Sequence, residues 1–185
     1  MSILINVSIK LQQLTLVEVK KSELSESLLE VCMDYGPKRH TWHTKVIKSY
    51  TVSTALKGIG QTKNSFQTPI GLHYIRAKIG EGLPALSIFE GRRPTGEIWS
   101  KDNAALAPKD DWILSRIMWL SGKEFGINRL GNSDTMQRYI YIHGTHDESE
   151  LGRPLSHGCI RMSNHDVIEL FDLVTAGTIV HINEE

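Results

Sequence analysis

The chain has 185 residues, 40% of them hydrophobic, which is enough for one globular domain with its own core. Lysine plus arginine (21) equals aspartate plus glutamate (21), and no long block of like charge occurs, so the charge pattern argues against nucleic acid or an anionic membrane as partner. A small molecule or a peptide is the expected partner.

The N-terminal MSILINVSIK has no positive charge before Lys10, and Asn6 and Ser8 interrupt its apolar residues, so it lacks the basic region and hydrophobic run of a secretory signal. The expectation is a cytoplasmic chain, or a periplasmic one if an export signal lies outside this sequence. Ile3, Ile5, Val7, Ile9 and Leu11 alternate with mainly polar residues and predict an opening strand. Leu14 and Leu16 predict a second strand. Ser22, Leu24, Leu28, Val31 and Cys32 have helical spacing behind a serine cap and predict a helical segment at about 21–45, with Cys32 a small core residue. Val46, Tyr50 and Val52, then Ile75, Ala77 and Ile79, predict further strands.

Between Gly80 and Asp111 no period is sustained and three prolines occur, so this stretch reads as a long functional loop. Arg92, Arg93 and Trp99 lie in it and are not placed in the site. Trp112–Leu120 reads as a strand; Arg116 breaks its apolar run, and no stretch is long enough to cross a membrane. In RYIYIHGT, Tyr139, Tyr141 and His143 share one strand face and Ile140 and Ile142 the other, with His143 at the strand's end. Val167, Leu170, Phe171 and Val174 form a helical stripe capped at Ser163, Asn164 and Asp166, and GTIVHI closes the chain as a strand. The fold class is β-rich, with mainly antiparallel sheets and a few short helices.

The chemistry concentrates in YIHGTHDESELGRPLSHGCIRM. Two cysteines, Cys32 and Cys159, are too few for a disulfide scaffold, so reduced thiols are the default. A lone cysteine is ordinarily a small core residue, but Cys159 is surrounded by His143, His157, Gly158 and Ser156, a density of reactive groups that packing does not require. A free thiol has a pKa of about 8.5 and needs a nearby imidazole to react at neutral pH. His157 is too close in sequence to meet Cys159 well, so His143 is the better base. The turn at Gly158, just before a helix, is a place where backbone N–H groups converge on an anion. His146 and Asp147 read as solvated loop residues.

The pattern His143-Gly144-Thr145, a gap, then Ser156-His157-Gly158-Cys159-Ile160-Arg161 resembles the signature of the L,D-transpeptidase catalytic domain, or YkuD domain, whose members act on peptidoglycan stem peptides. The segment SYTVSTALKGIGQTKNSFQTPIGLHYI, with Thr68-Pro69-Ile70-Gly71, and the closing helix and strand are similar to the family too, so the resemblance runs from about Val46 to Ile182. The segment at 21–45 departs from it. The resemblance implies a YkuD-like β-sandwich in one domain, Cys159 as nucleophile, His143 as general base and a carbonyl near Gly144 orienting the imidazole. It also implies an oxyanion hole from the N–H groups of His157, Gly158 and Cys159, and a pocket lined by Ser156 and His157. Arg161 matches the family's arginine, as a contact for a substrate carboxylate or as a brace for the loop. No cofactor is implied, and carbapenem-type β-lactams are expected to acylate the same cysteine.

The activity this implies is cleavage of the diamino acid–D-Ala bond of a tetrapeptide through a thioester. With no export signal in view, the expected outcome is hydrolysis by an L,D-carboxypeptidase in muropeptide recycling, and periplasmic L,D-transpeptidation is the runner-up. Other classes remain open: a zinc hydrolase using His143, His146, His157 and Cys159, although neither H-E-x-x-H nor paired C-x-x-C is present; another cysteine-peptidase fold, against which the order of histidine and cysteine speaks; and a silent stem-peptide-binding module.

Overall fold

The first apolar stretch forms β1 (Ser2–Ser8), which turns back on itself as an antiparallel hairpin with β2 (Gln13–Val19). The computed structural model describes residues 2–20, 44–106 and 111–185. The helical segment expected at 21–45, and Cys32 with it, therefore lies outside the described residues, apart from Thr44 and Lys45. Those two open β3 (Thr44–Thr51). The remaining elements are β4 (Gly71–Ile79), β5 (Ser87–Glu90), β6 (Arg93–Ile98), α1 (Lys101–Leu106), β7 (Ile113–Gly122), β8 (Tyr141–Gly144), β9 (Ile160–Met162), α2 (Asn164–Leu173) and β10 (Ile179–Asn183).

The strands run in the order β3-β2-β1-β10-β4-β7-β5-β6, with β8 paired to β7 and β9 to β8. Among the described strands, β1 with β10 and β8 with β9 pair in parallel, and the other strand pairings are antiparallel. The β-rich, mainly antiparallel expectation is therefore met by one mixed sheet. The chain leaving β3, at one end of that order, meets β9 at the tip of the β8–β9 branch. Beyond β3, Ser53 and Arg161 exchange backbone hydrogen bonds, each 2.9 Å, and Ala55 bridges to Ser156.

That approach explains the core. Ile5, Val7, Leu14, Leu16, Tyr50 and Val52 from the first three strands and the chain just beyond them pack in one cluster with Met118, Leu120, Ile142, Ile160 and Met162, and Val167, Leu170 and Phe171 of α2 fill it. Burial of such side chains contributes roughly 1.5–3 kcal/mol each before chain entropy is counted. The helix begins as expected: Ser163 is its N-cap, accepting from the Asp166 N–H at 3.1 Å.

Three readings of the sequence change. The opening stripe is only partly internal: Leu11 lies in the turn after β1 and is exposed, as is Ile3, while Leu4 on the opposite face is buried in a second small cluster. Val46 is exposed because β3 shifts register against β2 between Leu16 and Val17, which breaks the alternation with Tyr50. The stretch 80–111 is not one long loop. It holds the β5–β6 hairpin and α1, and its period was hidden because β5 is four residues long and β6 is exposed throughout.

Candidate active site

Strands β8 and β9 lie side by side in parallel, with Ile142 opposite Ile160 and His143 opposite Arg161. Parallel partners point to the same face, and successive residues to opposite faces. Ile142 and Ile160 therefore enter the core, while Tyr141 and His143 share the other face with Cys159 and Arg161. Cys159 falls beside Tyr141. The Tyr141 N–H reaches Sγ at 3.4 Å, and the thiol reaches the Tyr139 carbonyl at 3.5 Å. Tyr139 itself lies outside the strand, with a φ of 57°.

His143 is almost completely buried. Its Nδ1 lies 2.8 Å from the Gly144 carbonyl oxygen, which can only accept, so the proton sits on Nδ1 and Nε2 carries a lone pair. That Nε2 is buried with no hydrogen-bond partner. The neighbouring strand is shaped to this end. β7 bulges between Leu114 and Ile117, opposite Gly144 and His143, and Ser115 in the bulge has a φ of 63°. Ser115 donates to Asn164 Oδ1 at 2.6 Å, and Asn164 donates in turn to the Thr145 carbonyl and to Glu148. Gly144 is enclosed by this arrangement: a Cβ there would stand 2.4 Å from Asn164 Oδ1 and 2.8 Å from the Leu114 carbonyl.

Burial opposes charge on both the Cys159 thiol and the His143 imidazole. Burial pushes the Cys159 thiol up to about 12; Asp111 adds to this, and the Tyr141 N–H, Arg161 and Arg138 oppose it. Cys159 keeps some exposure, so solvent relieves part of that push, but the direction holds. Burial likewise lowers the His143 imidazole below its ordinary range, against Asp111 and the Gly144 carbonyl, which favour its charged form.

Asp111 is the acid that the motif did not reveal. Its Oδ2 contacts Arg161 at 2.7 Å and His157 at 3.5 Å, and its Oδ1 is buried without a partner. Burial pushes its carboxyl up, but His143, Arg161 and His157 together hold it below the usual carboxylate range. Arg161 is buried in this pair. That geometry supports the brace alternative for it, since its nearest carboxylate is supplied from within.

The turn before Cys159 differs from expectation in two respects. Ser156 is buried and faces inward: its hydroxyl donates to the Cys159 carbonyl at 2.6 Å and accepts from the Gly158 N–H at 3.1 Å. It braces the turn rather than lining a pocket. The Gly158 N–H is thereby taken, and of the three expected donors those of His157 and Cys159 lack a partner among the described residues. Gly158 has a φ of 126°, and a Cβ there would meet Ile140 Cδ1 at 3.1 Å and the Gln67 carbonyl at 3.2 Å, so the turn needs glycine. Its carbonyl accepts from Thr68 Oγ1 at 3.0 Å, while the same hydroxyl accepts from the Ala55 N–H at 3.0 Å. The Thr-Pro motif thus fastens the turn from behind.

The structure brings His143, Gly144, His157, Gly158, Cys159, Ser156 and Arg161 together. Asp111 and Thr68 join them unforeseen. His146 is set apart, with its ring 5.7 Å from that of Trp99. The metal-type grouping among the described residues is a different one, His165, Asp166 and Glu169 at the start of α2.

A family model, the L,D-transpeptidase catalytic domain (YkuD), matches residues 31–182. The chain is 55% identical over 111 residues to the YkuD protein of Bacillus subtilis (strain 168), covering 60% of this chain and 66% of that protein. It is 37% identical over 75 residues to the YkuD protein of Bacillus licheniformis, covering 40% and 44%. The matched segments thus span less than two thirds of each relative. The fold is similar to that of L,D-transpeptidase 3 from Mycobacterium tuberculosis, solved with a faropenem-derived adduct: the TM-score is 0.51 at 16% identity, over 99% of this chain and 60% of that one.

Proposed function

The chain belongs to the L,D-transpeptidase catalytic domain family, and from that membership and the geometry around Cys159 we propose that it performs cysteine-dependent acyl transfer on peptidoglycan stem peptides. One observation carries the mechanism: on the face that holds the thiol, His143 has Nδ1 committed to the Gly144 carbonyl and a buried, unpartnered Nε2. A base so oriented has its lone pair free for a single purpose.

In this mechanism Nε2 takes the thiol proton as Sγ attacks the carbonyl of the third, diamino-acid residue of a tetrapeptide. The oxyanion that forms is met by the N–H groups of His157 and Cys159, whose loss would cost on the order of a hundredfold in rate. Collapse breaks the peptide bond, His143 returns the proton to the departing D-alanine amine, and a thioester remains. Asp111 supports the imidazolium formed in between. For the second half-reaction the proposal is hydrolysis, an L,D-carboxypeptidase reaction releasing tripeptide in muropeptide recycling. The second reading, attack by an amine of another stem, is supported by the names of the curated relatives, which are those of L,D-transpeptidases. A β-lactam of the carbapenem type is expected to acylate Cys159; the mycobacterial neighbour carries an adduct derived from faropenem, a related penem β-lactam.

The test is incubation with purified tetrapeptide muropeptides, with and without a second amine, followed by mass analysis. Tripeptide and free D-alanine are expected, and Cys159→Ala should release neither while remaining folded. Cross-linked dimers forming faster than tripeptide would replace the hydrolytic reading with the transpeptidase one, and turnover by Cys159→Ala would remove the thiol from the mechanism.

A further inference from the structure

We propose that Arg92 is the residue that recognises the free carboxylate of the departing terminal D-alanine; this rests on the stem-peptide reading above. Arg92 occupies the tight turn between β5 and β6, next to Gly91, with a φ of 67°. The turn folds over the site. The guanidinium carbon of Arg92 lies 4.8 Å from the ring centroid of Trp119 and 4.8 Å from that of Tyr139, and Nη1 donates to the Tyr141 hydroxyl at 3.0 Å. Tyr139 and Tyr141 are the two residues whose backbone groups contact Sγ of Cys159. The cation therefore stands one tyrosine side chain away from the nucleophile.

Arg161 and Arg138 act on this thiol electrostatically and Arg92 stands against its two tyrosine neighbours, and the three are not in the same state. Arg161 is neutralised by Asp111 at 2.7 Å. Arg138 is bound by three neutral acceptors, the carbonyls of Gly60 and Gln67 and the hydroxyl of Ser65. Arg92 has aromatic rings against it, one hydroxyl as acceptor, and no carboxylate partner among the described residues. Stacking and the Tyr141 bond fix the plane of the guanidinium and leave its remaining N–H groups to accept a planar anion in fork geometry. An L,D-cleaving enzyme needs such a contact, because its donor ends in a free carboxylate one residue beyond the scissile carbonyl. That residue spans about 3.8 Å of chain, a reach consistent with a cation at the far end of Tyr141.

The experiment compares a tetrapeptide stem with its terminal amide, and a third stem amidated only at an internal carboxyl, in wild type, Arg92→Gln and Arg92→Lys. The wild type should prefer the acid to the terminal amide by about tenfold or more in kcat/KM. Arg92→Gln should lose roughly 10–100-fold on the acid, mainly in KM, stay within about twofold on the terminal amide, and so lose the preference; Arg92→Lys should fall between. Amidation at the internal carboxyl should leave the effect of Arg92→Gln unchanged. An acid-to-amide ratio equal in wild type and Arg92→Gln overturns the proposal, even if overall turnover falls, since that would be a hairpin latch alone. A shift of the effect to the internal carboxyl overturns it as well. If no stem is turned over at all, the stem-peptide reading fails by itself, and alkylation of Cys159 decides the carboxylate preference. The ratio of iodoacetate to iodoacetamide rates, read by mass on the Cys159 peptide, should drop at least about threefold in Arg92→Gln with the iodoacetamide rate unchanged. An unchanged ratio there overturns the proposal.

Discussion

Oδ2 of Asp111 lies 2.7 Å from Nη2 of Arg161, and the pair is mostly withdrawn from solvent, with side-chain exposures of 22% and 8%. One carboxylate thereby ties down the arginine that follows the thiol in β9, and at 3.5 Å also reaches His157, which precedes it.

Replacing Asp111 by Asn keeps the shape and removes the charge. Arg161 is then left buried and uncompensated, and denaturant unfolding should show a loss of about 3 kcal/mol near neutral pH. The sign of the pH dependence follows from the direction of the shift. The carboxyl is held below its ordinary range in the folded protein. Its contribution is therefore complete above an unfolded pKa of about 4 and is lost as pH falls through the lower folded value. The gap between wild type and Asp111→Asn should close in that acid window. Turnover should fall about 10–100-fold, because the imidazolium of His143 loses its counter-charge.

The neutral thiol–imidazole pair predicts how Cys159 reacts. Its rate with iodoacetamide should climb with pH beyond the range of an ordinary thiol, with no plateau at low pH, because burial raises the thiol and lowers the imidazole. His143→Ala should slow the reaction at pH 7 by a factor of about a hundred or more. His157, whose side chain is 56% exposed, should matter less to alkylation and more to turnover. A plateau at low pH would mean that the pair is ionised at rest.

What could be read in advance divides along physical lines. The face of His143 is legible in sequence because Tyr141 and His143 alternate with Ile140 and Ile142, whereas the roles of Cys159 and of the Gly144 carbonyl are expected from the family signature. Asp111 is not legible, because it comes from a segment without period and acquires meaning only when β9 brings Arg161 to it. The family resemblance places Ser156 on the pocket wall; in the fold its hydroxyl closes the turn on itself. The β5–β6 hairpin escaped notice since a strand as exposed as β6 carries no apolar rhythm.

Thr68 holds the turn before Cys159 through a single hydroxyl. Thr68→Val keeps the volume but leaves the buried Ala55 N–H and Gly158 carbonyl each short of a partner. A stability loss of about 1–3 kcal/mol is expected in thermal or chemical unfolding. Because Gly158 sets the direction of the flanking N–H groups, kcat should fall more than the loss in stability alone would imply. Retained kcat with lowered stability would restrict Thr68 to folding.

His73 gives the protein a second acid-sensitive point away from the site. It is fully buried in β4, with Nδ1 3.0 Å from the Gly71 carbonyl and Nε2 3.1 Å from Thr135 Oγ1, and burial lowers its pKa to about 3. The unfolded chain takes up this proton near pH 6.5 and the folded one only near 3, so the stabilisation is present above about 6.5 and lost as pH falls across that interval. The slope should be up to about 1.4 kcal/mol per pH unit, and His73→Gln should flatten it.

Because Ser53 pairs with Arg161, the strand that follows Cys159 has both of its long sides occupied, by β8 and by the chain beyond β3. Among the described strands, the borders of the sheet lie instead at β3 and β6, the two ends of the strand order. Such a border invites a foreign strand to dock and propagate, but β6 reads Arg-Pro-Thr-Gly-Glu-Ile, with a proline that cannot donate, a glycine that weakens extension, and opposite charges on either side of them. The β6 border is thus poorly suited to templating, and β9, flanked on both sides, stays out of reach of intermolecular sheet growth.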